Sequence, residues 1–320
     1  MKLAILALDG VFDTGLTVLL DALSTANELA AAQGFASPPF DVTLVGMRRR
    51  IRTALGFTTV AEPVTSVHQP DWVVVPAINT KQAERLIQAL EGRDVRDAIE
   101  HLRTWHANGA GIAGACIGSF IVAESGLLDG GEATTTWSLA PLFRQRYPSI
   151  KLDDSRMLVA SERIVTAGAM MGHLDLALWL LRQGSPELAS LVARFMLIDK
   201  RTSQAAYIIP DHLAHADPLI ARFERWARDN LSLGFSLQQA ASALAVGTRT
   251  LQRRTEAVLG KSPLAFFQDL RIERAQHLVS MGYDLEKIAG EVGYADSATL
   301  RTLLRRRLGR GVRELRAEMR

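Results

Sequence analysis

The chain has 320 residues, 48% hydrophobic and 22% charged, which is long and apolar enough for two domains with their own cores. Its single Cys excludes an intrachain disulfide framework, and no apolar run approaches the roughly 20 residues needed to span a bilayer. The net charge of +3 is uneven: residues 221–320 hold 18 Lys and Arg against 11 Asp and Glu, and residues 1–220 hold 19 against 23. A basic module on an acidic body is the electrostatic footprint of a nucleic-acid binder.

The opening MKLAILALDG has too short an apolar run for a secretory signal and reads as a buried strand over 2–8. Helical periodicity follows over 16–32, with Leu16, Leu19, Leu20, Leu23, Ala26 and Ala30 on one stripe. Strands are expected at 40–45 and 71–75, the latter closed by Pro76, and residues 81–107 read as one or two amphipathic helices broken at Gly92. A strand of small residues is expected at 111–115, a hairpin at 158–166, and helices at 174–183 and 186–199. Apolar strands alternating with helices imply an α/β domain whose mainly parallel sheet is covered on both sides. Residues 202–218 lack a sustained apolar period and read as a linker. A helix over 219–231 then opens the basic module, with Asp217 as its cap and Pro218 at its first position.

Two segments carry chemistry. Gly114-Ala115-Cys116-Ile117-Gly118-Ser119 lies at a strand-to-helix junction and has the spacing of a nucleophile elbow, with glycines two before and two after the nucleophile. A thiol there sits near a helix N-terminus, which favours the thiolate; a buried small hydrophobe is the alternative. The second segment is a repeat, FSLQQAASALAVGTRTLQRRTEAVLG from Phe235 and DLEKIAGEVGYADSATLRTLLRRRLG from Asp284. Each copy has a short helix with an inward alanine (Ala241, Ala289), a turn with a glycine (Gly247, Gly293) and an arginine-rich helix, which is the layout of a helix-turn-helix. A helix at 263–281 joins the two copies. The arginines fall inside the repeat: Arg249, Arg253 and Arg254 in one copy, Arg301, Arg305, Arg306 and Arg307 in the other.

These motifs resemble two known families. GACIGSF, AESGLLDGGEATTTW and VTAGAMMGHLDLALWLL are similar to the class I glutamine amidotransferase-like superfamily, in its PfpI-like branch. RTLQRR, GKSP, RIERAQHLV, IAGEVGYAD and RRRLG are similar to the AraC/XylS DNA-binding domain. Together they resemble the GlxA-type transcriptional regulators. That resemblance implies a flavodoxin-like sensor or dimerisation domain over 1–200, a linker over 201–218 and an all-α tandem helix-turn-helix domain over 219–320. It implies a ligand pocket at Asp13, Cys116, Ile117, Thr136 and Trp137. Double-stranded DNA would be read by Arg249, Thr250, Gln252 and Arg253 from the first reading helix. Ser297, Thr299, Arg301 and Thr302 would serve in the second, with Arg305 and Arg306 on phosphate. The implied partners are DNA, a small-molecule effector, a second copy in a homodimer and RNA polymerase. No cofactor, metal or membrane is implied, and the implied location is the cytoplasm.

The departures from the family patterns bear on mechanism. Thr136 stands where enzymes of the superfamily commonly carry His, and threonine is no general base at neutral pH, so loss of catalysis is expected, leaving Cys116 as a vestigial nucleophile. Leu300 and Leu304 stand where the last reading helix usually has aromatics. Gly247 replaces a Ser, so capping is expected to shift to Thr248, and Gly311-Val312 replaces a closing Ser-Pro. The alternative from another class is a Cys-dependent hydrolase, hydratase or amidase using a distant base such as His173, for which a helix-terminal polar residue is the plainer role. A third reading is a dimerisation scaffold without ligand. Trp72, Trp105 and Trp179 are expected in the core, and Met170-Met171 in packing rather than on a metal.

Overall fold

Alternating apolar strands and amphipathic helices build a seven-stranded sheet in the computed structural model, which describes residues 1–35, 38–80, 82–199, 201, 203–204, 217–308 and 311–312. The chain divides into two units, Met1–Ala205 and Ala206–Arg320. Most of the linker expected at 202–218 lies outside the described residues.

The first unit contains β1 (Lys2–Ala7), α1 (Asp13–Ala32), β2 (Asp41–Gly46), β3 (Arg50–Arg52), β4 (Thr58–Val60), β5 (Glu62–Pro63) and β6 (Trp72–Val75). It continues with α2 (Ala83–Leu90), α3 (Arg93–Ala107), β7 (Gly111–Ala115), α4 (Gly118–Glu124), β8 (Glu132–Ala133), α5 (Ala140–Arg146) and β9 (Lys151–Leu152). It closes with β10 (Leu158–Ser161), β11 (Ile164–Ala167), α6 (Gly172–Gly184) and α7 (Pro186–Phe195). The sheet order is β10-β11-β7-β6-β1-β2-β5, parallel throughout except for the edge strand β10, which pairs antiparallel with β11 in the expected hairpin. Two apolar clusters cover the sheet. One joins Leu3, Ile5 and Val74 to α1, α6 and α7, and the other joins Leu6, Val73 and Val75 to α2, α3 and α4. The helical stretch over 81–107 breaks at Gly92, as its sequence predicts. Trp72 and Trp105 are buried, and Trp179 packs edge-on against Trp72 at 5.1 Å. Strand order reverses between β1 and β6, and the crevice outside their carboxyl ends is where open α/β sheets bind ligands.

The second unit is helical: α8 (Pro218–Asp229), α9 (Leu237–Ala243), α10 (Thr248–Leu259), α11 (Pro263–Ser280), α12 (Leu285–Glu291) and α13 (Ser297–Leu308). Asp217 caps α8 as expected, its Oδ1 accepting from the Leu219 and Ile220 amides at 2.8 and 3.2 Å. Ala241 and Ala289 are buried where the paired helices cross, and Leu300 and Leu304 are fully buried, so leucine does fill the aromatic positions. Val312 packs into the same cluster.

The first turn differs from its sequence reading. Its left-handed residue is Ala245 (φ 55°), while Gly247 is extended (φ −73°, ψ 150°); in the second turn Gly293 is left-handed (φ 74°). The two turns therefore share one shape, imposed at roughly 1–2 kcal/mol on an alanine in the first. Thr248 does not cap α10. Gly247 is the N-cap, with no side-chain hydrogen bond, and Thr248 is already the first helical residue, so its hydroxyl lies past the capping position. Asp296 does cap the second reading helix, accepting from the Thr299 amide at 2.7 Å.

Candidate nucleic-acid interface and elbow pocket

Helix α10 turns one face inward through Leu251, Thr255 and Leu259. Its period leaves Arg249, Thr250, Gln252 and Arg253 exposed together. Helix α13 repeats this with Leu300 and Leu304 inward and Thr299, Arg301, Thr302 and Arg305 exposed. Among the described residues, Arg249, Arg253, Arg301 and Arg305 form no ion pair, so four guanidinium groups face outward without an internal counter-charge. The hydroxyls of the second helix are already engaged: Ser297 Oγ donates to Glu286 at 2.6 Å, Thr299 Oγ1 to Asp296 at 3.0 Å and Thr302 Oγ1 to the Ala298 carbonyl at 3.0 Å. Gln252 bonds Glu256 one turn on at 3.2 Å. Arg306 lies within α13, and its side chain falls outside the described residues. Arg254 is committed elsewhere: its Nε meets the Asp217 carboxylate at 2.5 Å, which ties the cap of α8 to the first reading helix. The sequence groups Arg254 only with the other arginines of the repeat and gives no sign of this partner, which lies 37 residues away.

The elbow carries backbone strain. Cys116 is left-handed at φ 53°, an uncommon conformation for a non-glycine residue. Gly118 makes that turn possible, since a Cβ there would stand 2.1 Å from the Val75 carbonyl oxygen at the end of β6. The Ser119 and Thr135 hydroxyls surround the Cys116 carbonyl at 2.6 and 3.1 Å. Burial pushes the Cys116 thiol up to about 11, offset in part by hydrogen bonds to the Thr136 side chain and the Ile117 amide. At neutral pH the group is therefore a protonated thiol, not the thiolate expected from its helix-terminal place.

A cavity of about 40 Å³ adjoins the thiol. Cys116, Ile117 and Thr136 line it together with Phe12, Ile78 and Asn79; Asp13 and Trp137 are not among the described lining residues. Asp13 instead opens α1 and accepts from the Leu55 amide at 3.0 Å. It lies at the first strand-helix turn, where the β3–β4 hairpin captures the carboxylate. Met170 also lines the cavity and is 41% exposed, so the Met170-Met171 pair is not core packing.

His173, the alternative base, is fully buried. Its Nε2 accepts from the Ala77 amide at 3.0 Å, and its Nδ1 bonds the Met170 carbonyl at 2.8 Å. Those partners require the tautomer protonated at Nδ1, and burial lowers the imidazole to about 4. Both nitrogens serve the backbone, leaving none for the thiol. Gln204, which sequence reasoning passed over as linker, is also fully buried, and its amide nitrogen reaches the Thr134 hydroxyl, the Thr135 carbonyl and the Arg156 carbonyl at 3.2, 2.9 and 3.2 Å. It touches the strand end that leads into Thr136, and a lone polar residue in an aperiodic stretch gives no sequence signal of that burial.

Comparison with known proteins bears on both halves. A helix-turn-helix domain model matches residues 240–318. The chain is 28% identical over 189 residues to the HTH-type transcriptional regulator CdhR of Pseudomonas aeruginosa, covering 57% of this chain and 55% of that protein. It is 34% identical over 92 residues to the HTH-type transcriptional activator RhaS of Escherichia fergusonii, covering 28% and 33%. The chain thus spans about half the length, or less, of the curated relatives it matches. Among solved structures, a Vibrio parahaemolyticus protein assigned to the transcriptional regulators superposes with a TM-score of 0.52 at 20% identity, over 61% of this chain and 98% of that one, a likeness of fold. The chain thus carries a helix-turn-helix domain and is similar to HTH-type transcriptional regulators, in keeping with the AraC/XylS-like and GlxA-like resemblance of its sequence, and for the first unit the likeness is one of fold.

Proposed function

We propose that this chain is a sequence-specific transcriptional regulator that binds double-stranded DNA through α10 and α13. The observation that carries this reading is the pair of outward faces with four arginines that form no ion pair among the described residues, set by the same buried positions in both copies. Arginine bonds guanine bidentately in the major groove, and Gln252 is suited to adenine once it leaves Glu256. With its hydroxyls bound internally, α13 discriminates bases through Arg301, and Arg305 holds phosphate. The two helices read successive major grooves about one helical turn apart. The chain works as a homodimer in the cytoplasm, and contact with RNA polymerase turns binding into transcriptional output.

The first unit senses a small effector at the Cys116 cavity. A volume of about 40 Å³ is far below the roughly 300–1,000 Å³ of ordinary ligand pockets, so an effector fills it only with a small group unless the wall moves. Half-exposed Met170, next to left-handed Ala169 (φ 59°), is the part of the wall with room to do so. The domain is not an enzyme on this reading: the thiol is protonated, its side-chain partner is Thr136, and His173 faces the backbone.

The test is selection of fragments of the protein's own genome by the purified chain across a salt series. A short enriched motif with two elements one turn apart is expected. Binding without sequence preference, lost by physiological salt, overturns the reading.

A further inference from the structure

Helix α11 passes through the cores of both helix-turn-helix units. Phe266, Phe267 and Leu270 are buried along its first half. From Ile272 onward its buried residues share one cluster with Ile288, Ala289, Leu300 and Leu304 of the second unit. An arginine, Arg271, stands at the changeover and is only 6% exposed. Its Nε and Nη2 both donate to the Leu231 carbonyl, at 3.1 and 2.8 Å, in the short turn that precedes α9. Its guanidinium lies 4.9 Å from the Phe267 ring centre and 5.1 Å from that of Tyr294. Across from it is Gly293, where an added Cβ would stand 2.2 Å from Arg271 Nη2 and 2.4 Å from the Leu231 oxygen. The Tyr294 hydroxyl returns to α11 by donating to Gln268 at 2.6 Å. One guanidinium therefore joins the turn before the first unit, the connecting helix and the turn of the second unit.

A buried arginine is a poor choice for stability alone. Its desolvation is costly, and an apolar side chain of similar volume would pack at the same place without it. What a buried polar group supplies best is registry, because only one arrangement satisfies it. We infer that Arg271 is a positioning residue that fixes the second reading helix relative to the first, and so sets the spacing between the two DNA elements that the chain accepts. This inference rests on the DNA-reading function proposed above.

The test starts from the site enriched by the wild-type chain and measures affinity on that site and on versions with one base pair inserted or removed between the elements. The proteins are the wild type, Arg271→Met, Arg271→Lys and Gly293→Ala, the last disturbing the same junction from the opposite side. The wild type is expected to lose about tenfold or more per step of spacing, comparable to one mismatched base pair, and Arg271→Met and Gly293→Ala less than about threefold. Arg271→Lys, which keeps the charge and one donor, restores part of the discrimination. Equal losses on every spacing would make Arg271 a merely structural residue and overturn the inference. Spin labels at Ala257 and Ala298 in a Cys116→Ala background give a second readout without DNA, which also serves a variant too unstable to bind. A distance distribution as narrow in Arg271→Met as in the parent overturns the inference equally. If the wild type enriches no motif, the DNA-reading function fails and this inference falls with it; a wild-type motif with unchanged variant spacing profiles removes this inference alone.

Discussion

His173 gives the sharpest chemical prediction, because the two readings of the elbow domain require opposite signs. Its imidazole is held neutral, lowered from an ordinary 6.5 to about 4 chiefly by burial. Between those values the unfolded chain takes up a proton that the folded chain refuses, so stability falls as pH drops through the window from 6.5 to 4. At 1.36 kcal/mol per pH unit, the wild type loses about 2 kcal/mol from this group between pH 7.5 and 5. The comparison is His173→Gln, whose Oε1 can accept from the Ala77 amide in place of Nε2 but does not titrate. Urea unfolding followed by the tryptophans at 72, 105, 137 and 179, in a Trp226→Phe background, reports on the first unit. Subtracting the variant's pH dependence from the wild type's removes the other titrating groups. Were His173 instead paired with a Cys116 thiolate, its value would rise above 6.5 and the wild type would gain stability in acid. That sign, or no difference at all, refutes the assignment.

The other predictions concern single contacts. The Cys116 thiol should react with iodoacetamide at a rate that keeps climbing past pH 9, as a value near 11 requires; a plateau by pH 8 would mean an activated thiolate. Asp217→Ala removes both the cap of α8 and the partner of Arg254, and should destabilise the helical unit by about 1–2 kcal/mol, read from hydrogen exchange at the Leu219 and Ile220 amides. Arg254→Ala should leave the salt dependence of DNA binding unchanged, whereas Arg253→Ala should cost about 1–3 kcal/mol at one base position, both measured by titration on the selected site. Gln204→Ala takes the donor from the Thr135 carbonyl, while the Arg156 carbonyl keeps the Thr134 hydroxyl, and should cost the first unit about 1–3 kcal/mol, with faster tryptic cleavage after Arg201 than in the wild type.

Legibility in the sequence followed periodicity. Long helices such as α1 and α3 announce themselves because one side of each meets a core, and continuous apolar strands such as β6 and β7 because both sides do. The short hairpin β3–β4 does not: RIR and TTV offer one inward residue, Ile51, and too few positions to set a period. The elbow was legible in its glycine spacing, yet the thiol's protonation state was not, because it depends on how completely the surrounding chain excludes water. Gly247 drew attention as the turn glycine, while Ala245 holds the left-handed position, since the surrounding helices impose a conformation that local propensity disfavours. Arg254 and Arg271 looked alike as basic residues; partners 37 and 40 residues distant separate them from the arginines free to meet DNA.

The claim at the centre is that one chain reads two successive major grooves through α10 and α13. Methylation protection of guanine N7 on the selected site tests this directly. Two protected clusters about 10 base pairs apart are predicted, one lost in Arg253→Ala and the other in Arg301→Ala. A single cluster, or protection that both variants leave intact, would contradict the account.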